Sequence, residues 1–152
     1  MVKRHTGIFT AADIFMIGLY HAHSGLRYLV LLLALVVIAM AAHGLMSRRA
    51  ATKGDRVTMG IFTGLLDLQA LLGLALVAMG IFYGALMGHL MMMILALVVA
   101  HGAGVMARKA TDDRRAHSIR LVGVLLALVL VVGGIMAIGR GPLETNIPTQ
   151  TI

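Results

Sequence analysis

Two histidines, His23 and His89, together with Arg27 and Asp67, are the side chains whose types and placement could do chemistry, because each lies against or inside a long apolar run. Neutral imidazoles are the commonest protein ligands for a transition metal, and a pair of them can hold one centre from both sides. In HAHSGLR, residues 21 to 27, His23 and Arg27 are one helical turn apart and share a face, whereas His21 points elsewhere. His89 stands at the start of HLMMMILALVVAHGAG, with His101 near its other end. Asp67, in GLLDLQALLGLAL, lies eleven residues beyond Arg56, about 16 Å along a helix. A carboxylate at that depth is costly unless paired, protonated or hydrated, so it is expected to face the interior of a bundle.

The composition sets the solvent these groups meet. Of 152 residues, 60% are hydrophobic and 12% charged, and two are proline; the mean hydropathy is +0.96. That balance is far from a soluble domain's and predicts an integral membrane protein. The absence of cysteine excludes disulfides, iron–sulfur clusters, thiolate zinc sites, covalent c-type haem and thiol catalysis. Thirteen Lys and Arg against six Asp and Glu give a charge of +7, an excess that in a membrane protein marks cytoplasmic loops rather than nucleic-acid contact.

Crossing the hydrocarbon takes roughly 20 apolar residues. Four such runs are predicted, at 19–46, 57–79, 85–107 and 121–139. SRRAATKGDR and ARKATDDRRAHSIR are strongly basic, whereas GIFYGALMG and the tail GPLETNIPTQTI are not. The expected architecture is all-α: a four-transmembrane-helix up-and-down bundle, one membrane domain over 1–152, multi-pass in a bacterial inner membrane with both termini periplasmic. Lys3 and Arg4 oppose that orientation but are outweighed by the two basic loops. The N-terminal stretch fits a cleaved signal poorly, because Asp13 interrupts its apolar part. Thr10 followed by Asp13 resembles an N-cap, so a helix is predicted to begin near Ala11. Residues 1–18 then form either an arm with an interfacial helix or the start of one helix of about 36 residues, roughly 54 Å long. The glycines, among them Gly60, Gly64, Gly73, Gly84 and Gly88, are read as sites of close helix packing.

In such a bundle the first and third spans run in the same direction, so His23 and His89 fall at comparable depth. Two imidazoles facing each other across an apolar bundle could hold haem b, with Arg27 pairing a propionate and Asp67 orienting a ligand imidazole. Gln69 falls about 200° from Asp67 and so on another face. The plain alternatives are an interfacial polar belt for the histidines and a neutral, hydrogen-bonded Asp67. A second haem on His43 and His101 is disfavoured by phase, since twelve residues from His89 to His101 turn the face by about 120° and twenty from His23 to His43 by about 200°. His5 and His117 fall in the arm and a basic loop. Met92 and Met93 beside His89 would suit Cu(I), but twelve scattered methionines read better as core filler.

HSGLRY at 23–28, DLQALLGLAL from 67 and GHLMMMILALVVAHGAG from 88 resemble a group of small bacterial four-span membrane proteins labelled cytochrome b-like, over nearly the whole chain. Members of that group commonly carry histidine where this chain has Asp67, while matching His23 and His89. The resemblance implies a membrane haem protein. The expected function is electron transfer, alone or as the haem-bearing subunit of a redox complex, with membrane lipid, a quinone, complex subunits or a second copy as partners. No enzymatic reaction is assigned. The other classes are a cofactor-free accessory subunit of a respiratory or photosynthetic complex and a small transporter using Asp67.

Overall fold

The computed structural model describes residues 10–144. Among these residues the chain forms four helices and no strand: α1 (Ala11–Met46), α2 (Lys53–Ala78), α3 (Leu86–Arg108) and α4 (Asp113–Ala137). All four are long and apolar enough to cross a membrane. Three short connections make successive helices antiparallel. One end of the bundle carries the connections at 47–52 and 109–112 with the basic residues in and around them, Arg48, Arg49, Lys53, Arg56, Arg108, Lys109, Arg114 and Arg115, and the other carries the uncharged connection at 79–85. His5, Lys3, Arg4 and the end of the C-terminal tail lie outside the described residues.

The N-terminal alternatives resolve into one continuous helix of 36 residues. Its start is fixed locally: Thr10 Oγ1 accepts from the Asp13 backbone N–H, and Asp13 Oδ2 accepts from the Thr10 backbone N–H at 2.9 Å. This reciprocal pairing satisfies two of the donors a helix start leaves open. Thr52 and Asp55 repeat it at the start of α2. Asp112 caps α4 through the Arg115 N–H at 2.8 Å. That cap starts α4 at Asp113, eight residues before the apolar run predicted from 121, because a helix continues beyond the hydrocarbon once its first turn is capped. His117 therefore belongs to a helix rather than to a loop.

The helices close into a ring in which α1 packs on α2 and α4, and α3 on α2 and α4, leaving α1 and α3 diagonal to one another. The α3–α4 seam is the tightest and the α2–α3 seam the loosest. Small residues set the close approaches: Ala34, Ala96, Ala100, Val124 and Ala127 line the buried centre. A methyl group added at Gly123 would overlap the Ala103 side chain. Between helices already in lipid the hydrophobic effect contributes little, so such interdigitation and interhelical hydrogen bonds hold the bundle together.

Candidate functional site

At the neutral end, His23 from α1 and His89 from α3 converge across the bundle diagonal. Their ring centres are 6.5 Å apart and their planes are inclined at 76°. Each ring is held by a backbone carbonyl of a different neighbouring helix. His23 Nδ1 lies 3.0 Å from Gln69 O on α2, and His89 Nδ1 lies 2.9 Å from Gly134 O on α4. A carbonyl can only accept, so both Nδ1 atoms carry the proton and donate, and each Nε2 is left with its lone pair.

The sequence makes both carbonyls reachable. Gly73 lies one turn beyond Gln69, and a Cβ there would come within 3.0 Å of His23 Cε1; without it the ring rests on the helix backbone. Gly134 lies in the last turn of α4, where Ile138 N–H turns to Ile135 O at 3.3 Å. The Gly134 carbonyl is thus among those a helix end leaves without an intrahelical donor, and His89 supplies one.

Gln69 completes the arrangement. Its side-chain amide donates to His23 O at 2.8 Å and approaches His23 Nε2 at 3.4 Å, so α1 and α2 are tied in both directions at this level. Its Oε1 is buried with no partner among the described residues. The opposition of Gln69 and Asp67 expected from helical phase is present, with Gln69 buried and Asp67 outward. Gln69 was not among the candidate ligand-supporting residues; the signal for it was the glycine one turn later, which uncovers its carbonyl.

Arg27 is buried, 7% exposed, and extends toward the neutral end. Its guanidinium donates to Glu144 O and, at 2.8 Å, to Tyr28 Oη. The segment after α4 is thereby drawn back over the histidine pair's end of the bundle, with Glu144 Oε2 accepting from Gly141 N–H at 2.7 Å. Arg27 shares the His23 face as its spacing requires; its Nη2 serves Tyr28 and this segment, while its Nε is buried with no partner among the described residues.

Asp67 corrects the expectation that it faces the interior. It lies on the outer surface of α2, and its Oδ2 is 3.4 Å from His101 Nε2 on α3, both side chains being about half exposed. It touches neither His23 nor His89, because on a helix apolar all round nothing in the residue pattern sets its rotation. His43 is exposed at the basic end. His101 faces outward, its Nδ1 donating to Leu97 O at 3.0 Å. These two histidines do not form a second facing pair.

The basic end holds a separate polar cluster. Arg49 donates twice to Asp55, at 2.7 and 2.6 Å, and this guanidinium, with the Thr52 hydrogen bonds, holds the Asp55 carboxyl well below the usual carboxylate range. His117 is fully buried against Gly44, with Nε2 3.2 Å from Arg49 O. A cavity of about 760 Å³ opens beside it, lined by Arg48, Arg49, Asp113 and Arg114 among others.

Among the described residues no group of three or more His, Asp or Glu side chains is gathered as a metal site. The chain matches no protein-family model, no curated protein and no solved structure.

Proposed function

We propose that the chain is a small membrane haem b protein, or the haem-bearing subunit of a membrane redox complex, and that His23 and His89 are its axial ligands. The observation that carries this is the paired geometry of the two imidazoles. Both have Nδ1 donating to a carbonyl, which leaves Nε2 without a proton and is how ligand histidines are oriented. The two ring centres are 6.5 Å apart, so His23 and His89 would be the residues to hold one group between α1 and α3. The donor set also suits iron in a porphyrin, since nitrogen ligands in an apolar bundle are the usual setting for haem b.

Haem bound there would supply one-electron transfer. The chain's own part is to hold the imidazoles: Gln69 and Gly134 fix the rings through their carbonyls, and Gly73 keeps the space beside His23. Arg27 anchors the C-terminal segment over that end and is the cation on the same helix face for a propionate. The positive-inside rule, applied to the basic residues around the other two connections, supports a cytoplasmic location for that end; in this reading the pair lies near the periplasmic side of a bacterial inner membrane, within reach of a quinone or a periplasmic donor.

Titrating the purified protein with haem tests this. The expected result is saturation at one haem per chain with a narrow Soret band; a folded protein that takes up none overturns the assignment and leaves a cofactor-free subunit of a larger membrane complex.

A further inference from the structure

Asp67 and His101 form an acid–base pair on a surface that should otherwise face hydrocarbon. Their facing atoms are 3.4 Å apart, and the side chains are 50% and 49% exposed. Asp67 lies eleven residues from Arg56 and His101 seven from Arg108, so the pair sits about 10–16 Å from the basic end, well inside a hydrocarbon core of about 30 Å. Ionisable groups at that depth face protein or water rather than lipid tails.

The surroundings point to protein. On α2, Gly60, Gly64, Asp67, Leu71 and Leu74 recur at three- and four-residue spacing and are all exposed. A Cβ added at Gly60, at Gly64 or, beside His101, at Gly102 would meet nothing within 4 Å. These glycines fit nothing within the chain, unlike Gly44, Gly73, Gly123 and Gly134, each of which is filled by a neighbouring side chain. Open glycines four apart are what a second helix needs to approach a backbone closely in a membrane.

We infer that two copies of this chain associate through their α2–α3 faces, Asp67 of each copy meeting the other's His101. Charge complementarity selects a second copy as the occupant. A two-fold axis along the membrane normal keeps depth unchanged and brings α2 of one copy against α3 of the other. Two acids and two bases at one depth then close a four-membered polar network shielded from lipid. An acid beside a base, repeated by such an axis, is self-complementary, as an isologous interface must be.

The chain has no native cysteine, so cross-linking is clean. Leu71 and Val98, each 64% exposed, lie one turn from Asp67 and His101 toward the neutral end. Differently tagged copies, one with Leu71→Cys and the other with Val98→Cys, would be co-expressed and oxidised in liposomes. A mixed dimer is expected, whereas Leu35→Cys with Val129→Cys, on α1 and α4, should give none. Gly64→Leu, which adds bulk only outside the chain, should lower the mixed-dimer yield at least about tenfold without lowering the unfolding temperature. Equal cross-linking of the two faces, monomers only, or an unchanged yield with Gly64→Leu in folded protein would overturn the proposal. Should Gly64→Leu fail to fold, the comparison between the two faces decides. Haem content does not enter any of these readouts, so the outcome is independent of the function proposed above.

Discussion

The rings of His23 and His89 stand 6.5 Å apart, although they come from helices diagonal in the bundle and each ring is fastened to a third or fourth helix. All four helices therefore meet at one level near the neutral end, and perturbing any of the four partners should be felt by the pair.

Gly73 lies directly against one of these partners. A Cβ there would stand 3.0 Å from His23 Cε1, closer than ordinary contact, so the ring must shift. Gly73→Val is expected to destabilise the protein by about 1–3 kcal/mol, as overpacking does, and to weaken haem uptake more than it lowers stability. Thermal unfolding and haem titration of the same preparation separate the two effects.

Gln69 and Asp67 should respond oppositely to removal of their polar atoms. Gln69→Leu deletes the donor to His23 O and is expected to cost about 0.5–1.5 kcal/mol of bundle stability. Asp67→Leu removes a group that faces outward, so the unfolding temperature of the monomer in detergent should hold or rise. Equal losses from both would mean that Asp67 is packed inside.

Which helices are long and apolar enough to cross a membrane, and that His23 and His89 fall at one level of the bundle, was legible because run length and the direction of successive helices follow from the apolar and charged segments. Rotation was not. Asp67 and Gln69 are two residues apart, and phase told that they oppose each other but not which one faces inward. Leu, Val, Ala and Met surround all four helices, leaving no polar face to orient them. His117 was hidden for a different reason: hydropathy finds the hydrocarbon boundary near Leu121, while the helix begins where Asp112 caps it. The Arg27 partner was equally out of reach, since it is a backbone carbonyl 117 residues away, beyond the last helix.

Gly44 and His117 offer a test of that hidden contact. A methyl at Gly44 would overlap the buried imidazole, so Gly44→Ala is expected to cost about 1–3 kcal/mol by overpacking. In a His117→Ala background the same change should cost less than half as much. Additive losses in the double variant would show that the two residues are not in contact.

Asp55 sets an acid limit on stability. Its carboxyl pKa is depressed, chiefly by the two hydrogen bonds from Arg49, so its contribution is complete above the unfolded value of about 3.9 and is lost as pH falls below it toward the folded value. Asp55→Asn should unfold at a lower temperature than the parent at pH 7, and the difference should narrow between about pH 4 and pH 2. A difference constant over that range would mean the ion pair contributes nothing.

The most direct measurement is a reduced-minus-oxidised absorption spectrum of the detergent-solubilised protein beside His23→Ala and His89→Ala, each supplied with haem during expression. If the two imidazoles are axial ligands, the parent shows a sharp reduced α-band and both variants lose it while remaining folded. A parent that is folded and colourless, or an α-band that survives both substitutions, would contradict the assignment of His23 and His89.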